Sequence, residues 1–481
     1  MKICDIIFND EYIHSDIDIE SEFNSLTTRA SETCKNDILI IPNSLNCDIS
    51  KCATPPLAVI CDPNLSLPSG YRAIRVTNPR LAMARAFYRY NHPNLENIKL
   101  IGITGTNGKG GTAEFIKTVL MNSGYKVGLI GTGKIEIMGD VISNKYYSMT
   151  TPDPDLLYRT LAKMANENCD VIIMEVSSHA LSLDKLEPLV FDYGVFTNLS
   201  REHMDFHGDM KNYFSSKAKL FSMCKCGVFN IDDEYGRRAY ELCKQRRISV
   251  GILWKGDVWA NNIENNGLKG INYTYHQENL SFKMLLGTAG IYNAYNSMLA
   301  AAVCIDMGCR PCEVKRILGE IKSLPGRFEI INDEISVIID YAHTDVAFKS
   351  VMRELSAIKS NNKLTVIFGC GGNRDKEKRS RMARIAEKYA DRIIVTSDNS
   401  RNENAKSIIS DIVSGFEENR YIVVEDRREA IRTAILSASD RDIVAVIGKG
   451  CEKYYIDQSG YHDYSELETI NHALAERRSL R

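Results

Sequence analysis

The chain has 481 residues, too many for a single hydrophobic core, and its length implies about three domains. Its 44% apolar and 25% charged make-up is that of an ordinary soluble globular protein, with no run approaching the ~20 apolar residues of a membrane span. A formal net charge of −2 excludes general attraction to nucleic acid or anionic lipid. The first residues carry acids and no apolar run before a small-residue cleavage site, so no signal peptide is expected. Fourteen cysteines without a framework spacing imply buried thiols, and Cys309-Arg-Pro-Cys312 lacks the second pair a zinc site needs.

Residues 1–95 read as a first α/β unit, a binding module without a charge-rich catalytic cluster. Its strands are expected at 37–42 and 57–61, and a helix is expected to begin at a capping Asn78. His92-Pro93-Asn94 reads as a linker.

Residues 96–325 alternate strand and helix, which predicts a mostly parallel sheet covered on both faces. An apolar strand at 99–103 runs into Gly105-Thr106-Asn107-Gly108-Lys109-Gly110-Gly111, and Ala113, Phe115, Ile116, Val119 and Leu120 then recur at helical spacing. Strand, glycine loop, lysine and helix form the phosphate-binding P-loop layout. Glycines let the backbone aim several N–H groups at one anion, and the helix N-terminus adds partial positive charge. The residue after Lys109 is Gly110, not the usual Ser or Thr, so Thr112 or a residue elsewhere must supply the hydroxyl that touches Mg²⁺.

Further strands are expected at 126–131, 169–176 and 191–198, which sets Lys109, Glu175 and Asn198 at carboxyl ends, where such sheets bind ligands. Glu175 at a strand end suits hard oxygen coordination of Mg²⁺. The loop 197–208 carries His203 and His207. Lys217 lies on an amphipathic helix and, taken alone, reads as a lysine snorkelling along apolar surface. Alternation through 254–282 with Asn266-Gly267 predicts an inserted hairpin. A helix from 290 places Asn293 and Asn296 on one face.

Leu324-Pro325-Gly326-Arg327 marks a boundary, and 326–481 reads as a Rossmann-like unit with strands at 337–339, 364–368, 392–396, 421–424 and 443–447. Gly369-Cys370-Gly371-Gly372 is not the dinucleotide fingerprint. Loops bearing Asp340 and His343, Arg374, Asp398, Asn399 and Arg401, and Gly448 and Glu452 all follow predicted strands and could converge on one crevice. Such a set suits a ligand with carboxylates and an ammonium.

Together the motifs at 104–109, 150–154, 174–181, 196–208, 324–328, 340–344, 368–376 and 448–452, with the Lys217 helix, resemble the Mur ligases, and among them the type that adds the third residue of the peptidoglycan stem peptide. The resemblance runs from about residue 26 to the end and is thin over 1–60. It implies a three-domain α/β fold: an N-terminal UDP-sugar-binding domain (1–95), a central ATP-binding P-loop domain (96–325) and a C-terminal amino-acid-binding Rossmann-like domain (326–481). It implies a cytoplasmic, monomeric, ATP-dependent amide ligase acting on small molecules, with no nucleic-acid partner and no membrane insertion. A carboxylate of UDP-N-acetylmuramoyl-L-alanyl-D-glutamate would take the γ-phosphoryl group of ATP, and the amine of a diamino acid would attack the acyl phosphate.

The same resemblance implies Mg²⁺ ligands at Glu175 and His203 and a second Mg²⁺ held through a carbamoylated Lys217. It gives Gly105 to Gly111, Asn293, Asn296, Arg327 and Asp340 to ATP. Thr28, Thr150, Thr151, Ser177 and Lys185 would meet the UDP substrate. Arg374, Asp398, Asn399, Arg401, Gly448 and Glu452 would receive the amino acid, and Asn399 with Arg401 fits meso-diaminopimelate, whose distal end carries both charges. Departures are Gly110 and Gly111 for hydroxyl residues, a run similar to folylpolyglutamate synthetases, Lys185 for an expected Arg, Asp345 and Ser400 for prolines, and Cys451 for a His. Two alternatives stay open: a paralogue forming another amide, with L-lysine or a different acceptor, and an inactive nucleotide-binding partner.

Overall fold

In the computed structural model, residues 1–42, 49–143, 147–332 and 334–481 are described. Three large sheets follow one another along the chain. The first has five strands in the order Tyr12–Ser15, Ala73–Val76, Ala58–Cys61, Ile38–Ile40, Leu26–Thr27. Only the Tyr12–Ser15 edge runs antiparallel to its neighbour. The helix Pro79–Asn91 starts as the sequence predicts, with the Asn78 side chain accepting from the N–H groups of Arg80 and Leu81. It ends at His92, whose left-handed φ of 43° turns the chain out toward the second sheet.

The second sheet has eleven strands. At its centre the P-loop strand Lys99–Thr104 lies between Phe191–Phe196 and Val171–Glu175, all parallel. Alternate residues of these strands face opposite ways. Ile101, Ile103, Val171, Ile173 and Val195 pack under Phe115, Ile116, Val119, Leu299 and Val303, which belong to the helices Lys109–Asn122 and Ile291–Asp306. Leu100, Ile172, Met174, Phe191 and Phe196 join a core on the other face that includes Leu157, Tyr158 and Leu161 of the helix Pro154–Asn166. That core continues into the N-terminal unit, where Tyr88 meets Tyr158 edge-on at 5.6 Å.

The stretch expected as an inserted hairpin is instead a three-strand meander, Val258–Asn265, Ile271–Gln277 and Leu280–Leu286, that continues the central sheet. Val258 and Trp259 pair in parallel with the strand Arg246–Gly251, so the alternating residues bury one face on the helix Ile291–Asp306 through Tyr273, Tyr275 and Met284.

The third sheet has six strands in the order Glu329–Asn332, Ser336–Asp340, Ile443–Ile447, Leu364–Phe368, Arg392–Val395, Tyr421–Val423. All are parallel apart from the first. A two-stranded ribbon, Tyr454–Asp457 with Gly460–Asp463, follows the last long strand. No helix among the described residues is long and apolar enough to cross a membrane.

Candidate active site

The P-loop is held open by its neighbours. Gly105 has φ 150°, and a Cβ there would fall 1.9 Å from Thr197 Oγ1; at Gly108, φ 85°, it would fall 2.7 Å from Asn296 Oδ1. Only glycine fits either place. The loop is pinned from the adjoining strand end: Asn198 accepts from Thr106 N–H through its carbonyl (2.8 Å) and from Asn107 N–H through Oδ1 (3.0 Å). Thr197 Oγ1 and Asn198 Nδ2 both donate to the carbonyl of Asn107. Lys109 Nζ donates to the loop carbonyls of Gly105 (3.0 Å) and Thr106 (2.9 Å). Burial holds its ammonium below the usual lysine range, against the pull of Glu175 and Glu202.

Register puts Glu175 opposite Ile103, one strand over from the loop. Its carboxylate accepts from Thr132 twice, at Oε1 from the N–H (2.9 Å) and at Oε2 from the hydroxyl (3.2 Å). His203 sits in a left-handed turn, φ 57°, and burial pushes its pKa down to about 4, so the ring is neutral near pH 7. Lys217 is 2% exposed and does not snorkel to water; its Nζ donates to the Gly105 carbonyl at 2.8 Å. Burial, with Lys109 nearby, drives that amine well below its ordinary range.

Lys109, Glu175, His203, Thr150, Asn293, Asn296, Arg327, Asp340 and Arg374 line one cleft of about 460 Å³. Its far wall comes from the third sheet. There Asp340 ends a strand with its carboxylate accepting from the N–H groups of Phe328 and Ala342, both at 2.7 Å. Burial raises its pKa, while Arg327 and those two amides oppose the rise. The Arg327 guanidinium lies 4.6 Å over the Tyr341 ring.

A second pocket, about 130 Å³, adjoins the cleft and is lined by Arg374, Asp398, Asn399, Arg401, Gly448 and Glu452. The four loops singled out in the sequence therefore do meet. Five residues, Glu202, His203, Tyr341, His343 and Arg374, border both cavities. Inside the pocket, Asn399 Nδ2 donates to Glu452 Oε2 (2.9 Å), and Arg401 Nη1 donates to the carbonyls of Gly372 (2.9 Å) and Asn399 (3.3 Å).

Other expected residues lie further out. Thr151 and Ser177 flank the cleft through a hydrogen-bond chain in which Thr151 Oγ1 donates to the Glu175 carbonyl (2.8 Å) and accepts from Ser177 N–H (3.0 Å). Lys185 is ion-paired with Asp153. Thr28 follows the short strand Leu26–Thr27 in the N-terminal sheet and lines neither cavity.

Sequence reasoning grouped His343 with Asp340 on a converging loop but gave it no partner, and it singled out none of Glu202, Lys449 and Thr132. Glu202 stands 3.2 Å from His343 Nε2 and 3.7 Å from His203 Nε2, joining a loop of the second sheet to one of the third. Its carboxyl is held well below the ordinary range by His343, His203 and Lys109, despite burial. Lys449, 1% exposed, donates to Asn399 Oδ1 (2.9 Å) and Glu452 Oε2 (3.0 Å) and lies 3.8 Å from Asp398. The signal for Glu202 was its place between Arg201 and His203 in an already flagged loop, and for Lys449 its place beside Gly448.

A P-loop with a carboxylate on the next strand, facing an ionic pocket of a second parallel sheet, defines a P-loop α/β enzyme that works across two sheets. The sequence profile of the Mur ligase middle domain matches residues 103–304, and that of the Mur ligase glutamate ligase domain matches 326–450. A UDP-N-acetylmuramoyl-L-alanyl-D-glutamate--2,6-diaminopimelate ligase of Clostridium acetobutylicum is 38% identical over 82% of both chains. One of the same name from Clostridium tetani is 33% identical over 99% of this chain and all of its own. A solved structure bearing that name superposes over 99% of both chains with TM-score 0.68 at 24% identity, a likeness of fold. The chain belongs to the Mur ligase family.

Proposed function

We propose that the chain joins an amine of a diamino acid, meso-diaminopimelate, to UDP-N-acetylmuramoyl-L-alanyl-D-glutamate, with ATP converted to ADP and phosphate. The observation that carries this reading is the abutment of the P-loop cleft and the Arg374–Arg401–Glu452 pocket across five common residues. The names of the relatives supply the substrates.

In this reading the γ-phosphoryl group lies at the loop amides and Lys109, with Arg327 opposite. A substrate carboxylate attacks it, giving ADP and an acyl phosphate, because a free carboxylate is a poor electrophile until one oxygen becomes a phosphate leaving group. Lys109 and Arg327 offset the charge that builds on the transferring group. The acceptor amine, held in the adjoining pocket, attacks the acyl carbon; phosphate leaves and the amine gives up a proton. Arg401 and Arg374 pair the distal carboxylate of the acceptor and Glu452 its ammonium. Asn293, Asn296 and Asp340 hold the nucleotide, and Thr28, Thr150, Thr151, Ser177 and Lys185 the UDP substrate.

The donor chemistry fits Mg²⁺. No three His, Cys, Asp or Glu side chains form a metal cage among the described residues. Mg²⁺ asks for no cage, since it takes one or two carboxylates plus phosphates and keeps waters. Glu175 and the neutral His203 would hold one ion, and a carbamoylated Lys217 a second; bound there, Mg²⁺ neutralises phosphate charge. An uncharged buried amine, as at Lys217, is the form that adds CO₂. We further propose domain limits of 1–95, 96–325 and 326–481, and a cytoplasmic setting.

The test is phosphate release from ATP and the UDP-muramoyl dipeptide with meso-diaminopimelate or L-lysine as acceptor. Release with the former is expected, with L-lysine a far weaker acceptor that turns over only at high concentration. Release with neither refutes the reading, and a preference for lysine refutes the acceptor.

A further inference from the structure

Residue 110 has no side chain where a P-loop carries a hydroxyl, so another oxygen has to do its work. The threonines of the loop itself are committed. Thr112 is fully buried and its hydroxyl donates to Asn296 Oδ1 (3.3 Å). The Thr106 hydroxyl donates to the Ser200 carbonyl (3.2 Å) and lies 3.1 Å from the Tyr213 hydroxyl. The Thr132 hydroxyl is bonded too, but to the Glu175 carboxylate itself. Thr132 follows the strand Val127–Gly131, beside Val171–Glu175, and lines the same cleft as Lys109. Its hydroxyl is 3.2 Å from Glu175 Oε2 and 3.0 Å from Thr150 Oγ1.

Positions 110 and 132 border one carboxylate from two sides. A Cβ at residue 110 would stand 3.3 Å from Glu175 Oε1, while Thr132 already reaches Oε2. The same Cβ would also stand 3.0 Å from Arg327 Nη2, so a hydroxyl-bearing side chain there would crowd the guanidinium. Glycine at 110 admits Arg327 to the loop, and the hydroxyl is found on the next strand instead. A hydroxyl that donates its proton to a carboxylate keeps lone pairs for a cation held by that carboxylate.

We infer that Thr132 supplies the hydroxyl oxygen for the magnesium nucleotide that residue 110 cannot. This rests on the nucleotide reading given above. The test is calorimetric binding of a non-hydrolysable ATP analogue in Mg²⁺ and in EDTA, for the unsubstituted chain and for Thr132→Val, Thr132→Ala and Thr132→Ser.

Loss of a group that supports a metal costs about 10–100-fold in affinity. Thr132→Val and Thr132→Ala should lose that much in Mg²⁺ and nothing in EDTA, and Thr132→Ser should bind as the unsubstituted chain does. Alanine covers the case in which valine disturbs packing. An equal loss in EDTA, or no loss in Mg²⁺, overturns the inference. If the unsubstituted chain binds the analogue in neither condition, the nucleotide reading fails and takes the inference with it.

Discussion

Arg401 offers the sharpest test of acceptor recognition. Its backbone is left-handed, φ 53°, and its N–H donates to the Ile456 carbonyl, which ties the residue to the ribbon after the last long strand. Nη1 is engaged by the Gly372 and Asn399 carbonyls, and that fixes the guanidinium plane. The remaining N–H groups, on Nη2 and Nε, suffice for a two-point clasp on a carboxylate. Arg401→Met keeps the apolar stem and removes the clasp. A hydrogen bond to a charged group contributes about 1.5–3 kcal/mol, and each 1.4 kcal/mol is tenfold. Net loss of one such bond should therefore lower kcat/KM for meso-diaminopimelate roughly 10- to 100-fold. Turnover of L-lysine, which has no distal carboxylate, should stay where it was. Steady-state phosphate release with both acceptors is the assay, with melting temperature as a check on folding. An equal fall for both acceptors, or none for either, would refute the assigned role.

Lys449→Met leaves Glu452 and Asp398 without the cation between them, a defect of about 3–5 kcal/mol for a buried pair. A clear drop in urea midpoint is expected, partly recovered by adding Glu452→Gln; an unchanged midpoint would mean the network contributes little. Lys217→Met removes a buried amine whose charged form is strongly disfavoured, so the melting temperature should hold or rise while turnover falls about 10–100-fold or more; a variant that keeps full turnover would remove Lys217 from the mechanism. The His179 ring meets that of His203 edge-on at 4.9 Å, and burial lowers both to about 4 from an unfolded value of 6.5. Between those values the unfolded chain binds more protons, so stability in the absence of metal and nucleotide should be complete above pH 6.5 and decline as pH falls toward 4. Urea titrations at pH 7 and 4.5 check this, and the double variant His179→Asn, His203→Asn should flatten the difference; a slope unaltered by the double variant would assign it to other groups.

Much of this was legible because local chemistry and long-range structure agreed. The run 99–112 has its buried strand, glycines and helix spacing in one continuous segment, and the structure forms them in that order. Asn78 caps its helix because the cap depends only on the two or three residues that follow. Loops after parallel strands share one edge of their sheet, which is why the sequence alone groups Arg374, Asn399, Arg401 and Glu452.

What escaped was what depends on partners distant in sequence. The strands Tyr12–Ser15 and Ala73–Val76 are short and pair with each other across the N-terminal unit. The stretch 254–282 carries a hairpin's alternation, yet its first strand finds a parallel neighbour at Arg246–Gly251, a pairing no local pattern announces. Lys217 on its helix looked like a surface lysine; only the packing of that helix on the P-loop buries it. Lys449 and Glu202 sat in flagged loops, but their roles depend on Asn399 and Asp398, and on His343, which other loops bring to them.

The central claim is that one oxygen of the UDP-substrate carboxylate accepts the γ-phosphoryl group in the P-loop cleft before the amine arrives from the adjoining pocket. Turnover of dipeptide substrate labelled with ¹⁸O in that carboxylate, with the released phosphate analysed by mass, tests it directly. One labelled oxygen should appear in phosphate for each amide formed. Phosphate free of label, with amide still accumulating, would contradict the account.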